Sequence, residues 1–196
     1  MVAIGSLYQL FRTKMSTFRG FSRILRIKWD WDVMLFPVVV DNVKEMSFLV
    51  GSTASIWAFV KDSMVTDYRR ELGYLPIDGP SIYVIPLSRI RDVEEYFHTA
   101  VFLQPVDKFS RPEAILFDVY RMLYWRGYIQ VLHFIPGGKE DIWNEKIDGY
   151  SIKIASILKK VGFVLSDARV LSVADGLFVK VEGKKAENIS DNDIAY

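Results

Sequence analysis

The chain offers few groups for chemistry: two histidines, His98 and His133, and no cysteine in 196 residues. Missing thiols remove disulfides, zinc–thiolate sites and thiol nucleophiles together. His133 falls inside the apolar run Tyr128 to Phe134, where a satisfied core histidine is expected, and His98 stands beside a strand start, at the end opposite a ligand crevice. Neither builds a metal cluster, and no HxxxH, EF-hand or phosphate-loop spacing occurs, so catalytic residues stay unassigned. One acid does stand where ligands enter an open α/β sheet: Asp107, with Gln104, follows the apolar run AVFL in the segment QPVD. Ligands of such sheets bind in the crevice beyond the carboxyl ends of the strands, so this pair is placed beside a bound ligand. A second concentration of charge is positive. Six of the 25 cations (Arg12, Lys14, Arg19, Arg23, Arg26 and Lys28) precede the first acid, Asp30, which leaves 19 cations against 24 acids, or −5, in the remainder.

That basic arm is amphipathic when wound as a helix. Leu7, Leu10, Phe11, Phe18, Phe21 and Leu25 share one face and Arg12, Arg19, Arg23 and Arg26 the other. Such a helix either covers a core with its arginines solvated or offers a cationic surface to nucleic acid or anionic lipid. Trp29 and Trp31 follow it, as bases for stacking or as core anchors.

The elements that must position Gln104 and Asp107 are marked most clearly between Arg111 and Phe134. Ser110 and Glu113 have capping-box spacing, Pro112 suits the first helical turn, and Ile115, Val119, Met122 and Leu123 recur at helical intervals. Gly127 is expected to end that helix before a strand from Tyr128 to Phe134. A second helix, Ser151 to Val161, stops at Gly162 and is followed by a hairpin, Phe163 to Val173 and Leu177 to Val181, around Ala-Asp-Gly.

This order, an apolar strand with a proline turn (AVFLQPVD), a helix (PEAILFDVYRML), a glycine and strand (RGYIQVLHF), then a helix ending KKVGF and a closing hairpin, resembles the C-terminal half of class I S-adenosylmethionine (SAM) dependent methyltransferases. The resemblance covers about Thr99 to Glu182. It implies a SAM-dependent methyltransferase of unknown acceptor, or a member of the same fold that has lost catalysis and serves as a binding or scaffold module, with nucleic acid bound through the basic arm as one form of it. It also implies a cofactor site in the preceding region. The strand-turn-helix of such a site is sought at Glu45 to Val60, with Gly51, Ser52 and Thr53 at the turn and one glycine where the family has two or three. Asp67, at the end of a second strand MVTDY, would take the ribose hydroxyls, or else sits on a helix with Asp62, Arg69 and Arg70. Ser81 to Leu87 is the expected third strand, which puts Ser88 near the adenine. QPVD differs from the Asn/Asp-Pro-Pro-aromatic motif of amino-directed nucleic-acid enzymes, which disfavours that acceptor class.

Composition sets the scale of the fold. With 51% hydrophobic residues in 196, the chain suffices for one sizeable core and is short for two domains. The expected divisions are a helical extension over 1–32, a methyltransferase-like α/β domain over 33–182 with a mixed sheet of six or seven strands, and a polar, disordered tail over 183–196. The longest apolar run, Val33 to Val40, is broken by Pro37 and is far short of the ~20 residues a membrane span needs. No signal peptide is recognisable, which points to a cytoplasmic protein.

Overall fold

The computed structural model describes residues 24–73, 78–136, 146–173 and 176–186. The sheet starts earlier than the glycine suggested. Its first strand is β1 (Val33–Phe36), four residues that are all fully buried, because helices cover both faces of a central parallel strand and leave no polar side. Val33 and Leu35 enter the core on one face, Met34 and Phe36 the core on the other. Helix α1 (Val40–Ser47) follows and buries Val40, Val43 and Met46 at helical spacing. The strand expected over Met46 to Val50 is therefore the end of α1 and the turn after it, a short apolar run that periodicity alone cannot assign.

Strand β2 (Ser55–Val60) leads through a 3-10 turn, Asp62–Met64, into α2 (Val65–Leu72). Next come β3 (Ser81–Pro86), a 3-10 turn over Leu87–Asp92, β4 (Phe97–Phe102) and a 3-10 turn over Val106–Lys108. Helix α3 (Pro112–Met122) starts at its proline as expected, but Arg111 is the cap residue and no side chain caps the turn. It ends at Met122, five residues before Gly127, since Leu123 already begins β5 (Leu123–Pro136). Helix α4 (Lys146–Val161) does stop at Gly162, whose φ of +109° is the left-handed region that glycine enters without strain. The closing hairpin is β6 (Phe163–Val173) and β7 (Gly176–Lys185), so regular structure continues past residue 182.

The seven strands lie in the order β3-β2-β1-β4-β5-β7-β6, parallel except for β7, which runs antiparallel to both neighbours. The strand order reverses between the parallel neighbours β1 and β4, so the crevice of this doubly wound sheet opens at the carboxyl ends of those two strands. One face packs on α1, α2 and the buried Ile24 and Leu25; the other packs on α3 and α4 through Leu116, Val119, Met122, Ile154 and Leu158.

Residues 1–23 of the basic arm lie outside the described residues, Arg12, Arg19 and Arg23 among them. From Leu25 to Asp32 the chain is irregular rather than helical and is tied to the sheet by Arg26. The Arg26 amide donates to Gln130 Oε1 (2.7 Å) and its carbonyl accepts from Gln130 Nε2 (2.9 Å). Its guanidinium lies 3.6 Å from Glu182, which is buried on β7 in a 2.9 Å ion pair with the equally buried Lys180. Among the described residues no helix is long and apolar enough to cross a membrane.

Candidate functional site

Four loops leave the carboxyl ends of β1, β2, β3 and β4, and they decide what the crevice can hold. After β1 the chain reads Pro37, Val38, Val39 and enters α1 with no glycine before Ser47. The free amides of this loop would be the donors for an anionic ligand group, since a helix start presents N–H groups without partners. Those of Val38 and Val39 are already used. Asn42, 2% exposed, turns back so that its Oδ1 accepts from the Val38 amide (3.0 Å) and the Val39 amide (3.1 Å). Below the loop, Phe36 stacks on Phe102 at 3.9 Å and meets the edge of Phe109 at 6.4 Å, which fills the floor of the switch point with rings.

After β2 the first acid is Asp62, and after β3 the first hydroxyl is Ser88. The fold brings these together across 26 residues: Ser88 Oγ donates to Asp62 Oδ2 (2.5 Å) and the Ser88 amide to Oδ1 (3.3 Å). Both hydrogen bonds favour the ionised form, so the Asp62 carboxyl lies below its ordinary range, first through the serine hydroxyl and then through the amide. Asp62 is fully exposed and could exchange the serine for a ligand hydroxyl.

After β4, Gln104 is half-buried and Asp107 nearly buried. Lys153 from α4 holds Asp107 Oδ2 at 3.0 Å, while Asp107 Oδ1 is buried with no hydrogen-bond partner among the described residues. The Tyr150 hydroxyl is buried and unpartnered in the same sense, and its ring stacks on His133 at 4.4 Å. Burial, then the Asp107 charge, raises the Tyr150 hydroxyl pKa. Burial lowers that of His133 and outweighs the attraction of Asp107, which favours the neutral ring. The Asp107 Oδ1 can accept from, and the Tyr150 hydroxyl beside it can donate to, an uncharged polar group at neutral pH.

The structure thus assembles Ser88, Gln104 and Asp107 at one end of the sheet and places the other expected positions elsewhere. Gly51, Ser52 and Thr53 precede β2, at the amino end, and do not form the turn after the first strand. Gly51 is required there for a different reason: a Cβ would collide with the Trp29 indole that lies against its backbone. Asp67 is on the outer side of α2, exposed and paired with Arg70 at 2.7 Å, as its helical alternative has it, and no strand ends there. Asn42, Asp62, Tyr150 and Lys153 are the site residues that sequence reasoning did not reach. Only Asp62 had a signal, as the first acid after the apolar run Ile56 to Val60.

No protein-family model matches the chain, and no curated protein does. Solved structures do. A SAM dependent methyltransferase from Aquifex aeolicus superposes over 92% of this chain and 97% of its own, with a TM-score of 0.66 at 14% identity. Human N-acetylserotonin methyltransferase in complex with SAM covers 93% of this chain and 55% of its own, with a TM-score of 0.62 at 13% identity. Aeropyrum pernix fibrillarin with natively bound SAM covers 81% and 68%, with a TM-score of 0.59 at 17% identity. The fold is that of the class I SAM-dependent methyltransferases. At these identities the likeness establishes the architecture, and the two last-named structures hold SAM within it.

Proposed function

We propose that the carboxyl-end crevice binds SAM and that the protein is a SAM-dependent methyltransferase whose acceptor enters beside Gln104 and Asp107. The observation that carries this reading is the Asp62–Ser88 pair. It places an ionised, solvent-facing carboxylate and a hydroxyl after β2 and β3, where a ribose and its base would find them in a fold whose similar structures hold that cofactor. The residues fit the adenosine half of SAM. The amino-acid half finds no glycine-lined cradle, because Asn42 occupies the Val38 and Val39 amides. When bound, the cofactor would supply an electrophilic methyl group. Asp107, fixed by Lys153, and Tyr150 would orient an acceptor, and neutral His133 could take a proton from it.

The Asn42 contacts favour a second reading, in which the crevice is closed by its own side chain and the fold serves as a binding module. Titration calorimetry separates the two. SAM binding that Asp62→Ala weakens by roughly 1.5 to 3 kcal/mol, the range for a hydrogen bond to a charged group, supports the transferase. Absence of heat and of thermal shift at millimolar SAM leaves the binding module.

A further inference from the structure

The amino end of the sheet carries a second surface, built by a bulge. Along the β4–β5 ladder Phe97 pairs with Leu123 and Thr99 with Tyr128, so Tyr124, Trp125, Arg126 and Gly127 stand opposite the single residue His98. Bulges of this kind re-aim side chains beside binding sites. Two features hold this one. A Cβ on Gly127 would sit 2.8 Å from the Tyr124 carbonyl oxygen, and Arg126 has a φ of +63°, a region costly for any residue with a Cβ. The extruded Tyr124, Trp125 and Arg126 are all exposed.

They extend a row of rings. Tyr96 stacks on Tyr124 (5.7 Å), Tyr124 lies 4.8 Å from His98, and Trp31 stacks on His98 and on Tyr128 at 5.9 Å each. Cations line it: the Arg26 guanidinium is 4.1 Å from the Tyr128 ring, Lys28 Nζ 5.4 Å from Trp31, and the Arg126 guanidinium 4.3 Å from Trp125. The nearby Asp32 carboxylate is engaged, accepting from the Ser55 amide and hydroxyl at 2.8 Å each. Exposed acids also border the row, Asp30 between Trp29 and Trp31 and Glu94 and Glu95 at the Tyr96 end, and Arg26 is shared with Glu182. Exposed large apolar side chains at this end include Trp29, Tyr96, Tyr124 and Trp125, all aromatic, and Val164 on β6, which stands in the row of Tyr128 two strands away through Lys184.

We propose that this bulge-built row of rings and cations at the amino end of the sheet binds single-stranded nucleic acid. Aromatic faces accept unstacked bases of any sequence, while interleaved cations track the phosphates. Rings set among one another cannot reach bases stacked in a duplex, so an unpaired strand is the form that fits. No contact here distinguishes a ribose from a deoxyribose, so RNA and DNA strands bind alike. The surface does not depend on the occupancy of the carboxyl-end crevice.

The test is fluorescence anisotropy of labelled oligo(U) and oligo(dT) of about 12 nucleotides and of a duplex of equal length, with the full chain, at about 50 and 200 mM salt. Both single strands are expected to bind, quench tryptophan emission and weaken with salt, with the duplex at least about tenfold weaker. The double variant Tyr96→Ala, Trp125→Ala should bind about tenfold or more weakly, since each stacked base contributes substantially. Arg126→Gly should weaken binding and reduce the salt slope by about one, while its melting temperature stays equal or rises because glycine relieves the positive φ. Absence of binding at low salt overturns the proposal, as does a duplex bound as tightly as the strands. Unchanged affinity in the variants does so too, by assigning binding to other cations.

Discussion

The two ends of one sheet differ in what they leave free. At the carboxyl end, where this fold has its ligand crevice, the loop amides are taken by Asn42, the floor is filled by Phe36, Phe102 and Phe109, and Asp62 is held by Ser88. At the amino end, which only has to start the strands, a bulge exposes the Tyr124 and Trp125 rings, with the Arg126 guanidinium over Trp125, at the expense of an arginine with positive φ. Satisfied polar groups and close packing stabilise a fold, whereas exposed rings and backbone strain weaken it unless a partner uses them. The contrast teaches that the two ends of one sheet can offer different things, buried polar atoms at Asp107 and Tyr150 on one and exposed rings on the other.

Substitution at the floor should give the largest effect. Phe36 is fully buried, so Phe36→Ala should cost about 3 to 5 kcal/mol in chemical denaturation, against less than about 0.5 kcal/mol for the exposed Tyr96→Ala. Equal losses at the two ends would erase the contrast. Next comes the plug. Asn42→Ala removes the acceptor of two part-buried amides and should destabilise by about 1 to 3 kcal/mol. If those amides are what the amino-acid end of SAM lacks, the same variant should bind SAM more tightly by calorimetry; unchanged or weaker binding would show that the plug is not the obstacle.

The smallest effect is pH-dependent and belongs to α1. Burial, reinforced by Asp41 one turn earlier, pushes the Glu45 carboxyl up to about 7, and its Oε2 is buried with no hydrogen-bond partner among the described residues. A raised carboxyl pKa means that the folded state holds the proton more tightly. Its stabilisation is present below about 4.5 and is lost as pH rises through about 7. Glu45→Gln should therefore be near neutral at pH 5 and stabilising at pH 8, by about 1 kcal/mol once solvent screening of this half-exposed group is allowed for. Thermal melts at the two pH values check it, and a variant that loses stability at pH 8 would place Glu45 in a favourable contact instead.

What the sequence carried locally was legible locally. Pro112 opening α3, the stop of α4 at Gly162, strands β3 and β4 and the β6–β7 hairpin follow from helical spacing, proline and glycine at element ends, and turn residues. Their order resembles the methyltransferase fold, and the superposed structures share it. The first half was misread at its glycine. VMLF is uniformly apolar because both sheet faces are covered, so it had no alternation to announce a strand, and the glycine sought as a cofactor turn instead makes room for Trp29 at the opposite end.

Only the tertiary structure could decide the rest. The Asp62–Ser88 pair spans 26 residues, the Asp107–Lys153 pair spans 46, and the bulge of β5 exists only relative to His98 on the neighbouring strand. Periodicity reports which side of an element is buried, a property of the nearest few residues. Strand register, and which loops share an end of the sheet, are set by packing between segments far apart in the chain, and that is where both candidate surfaces of this protein arise.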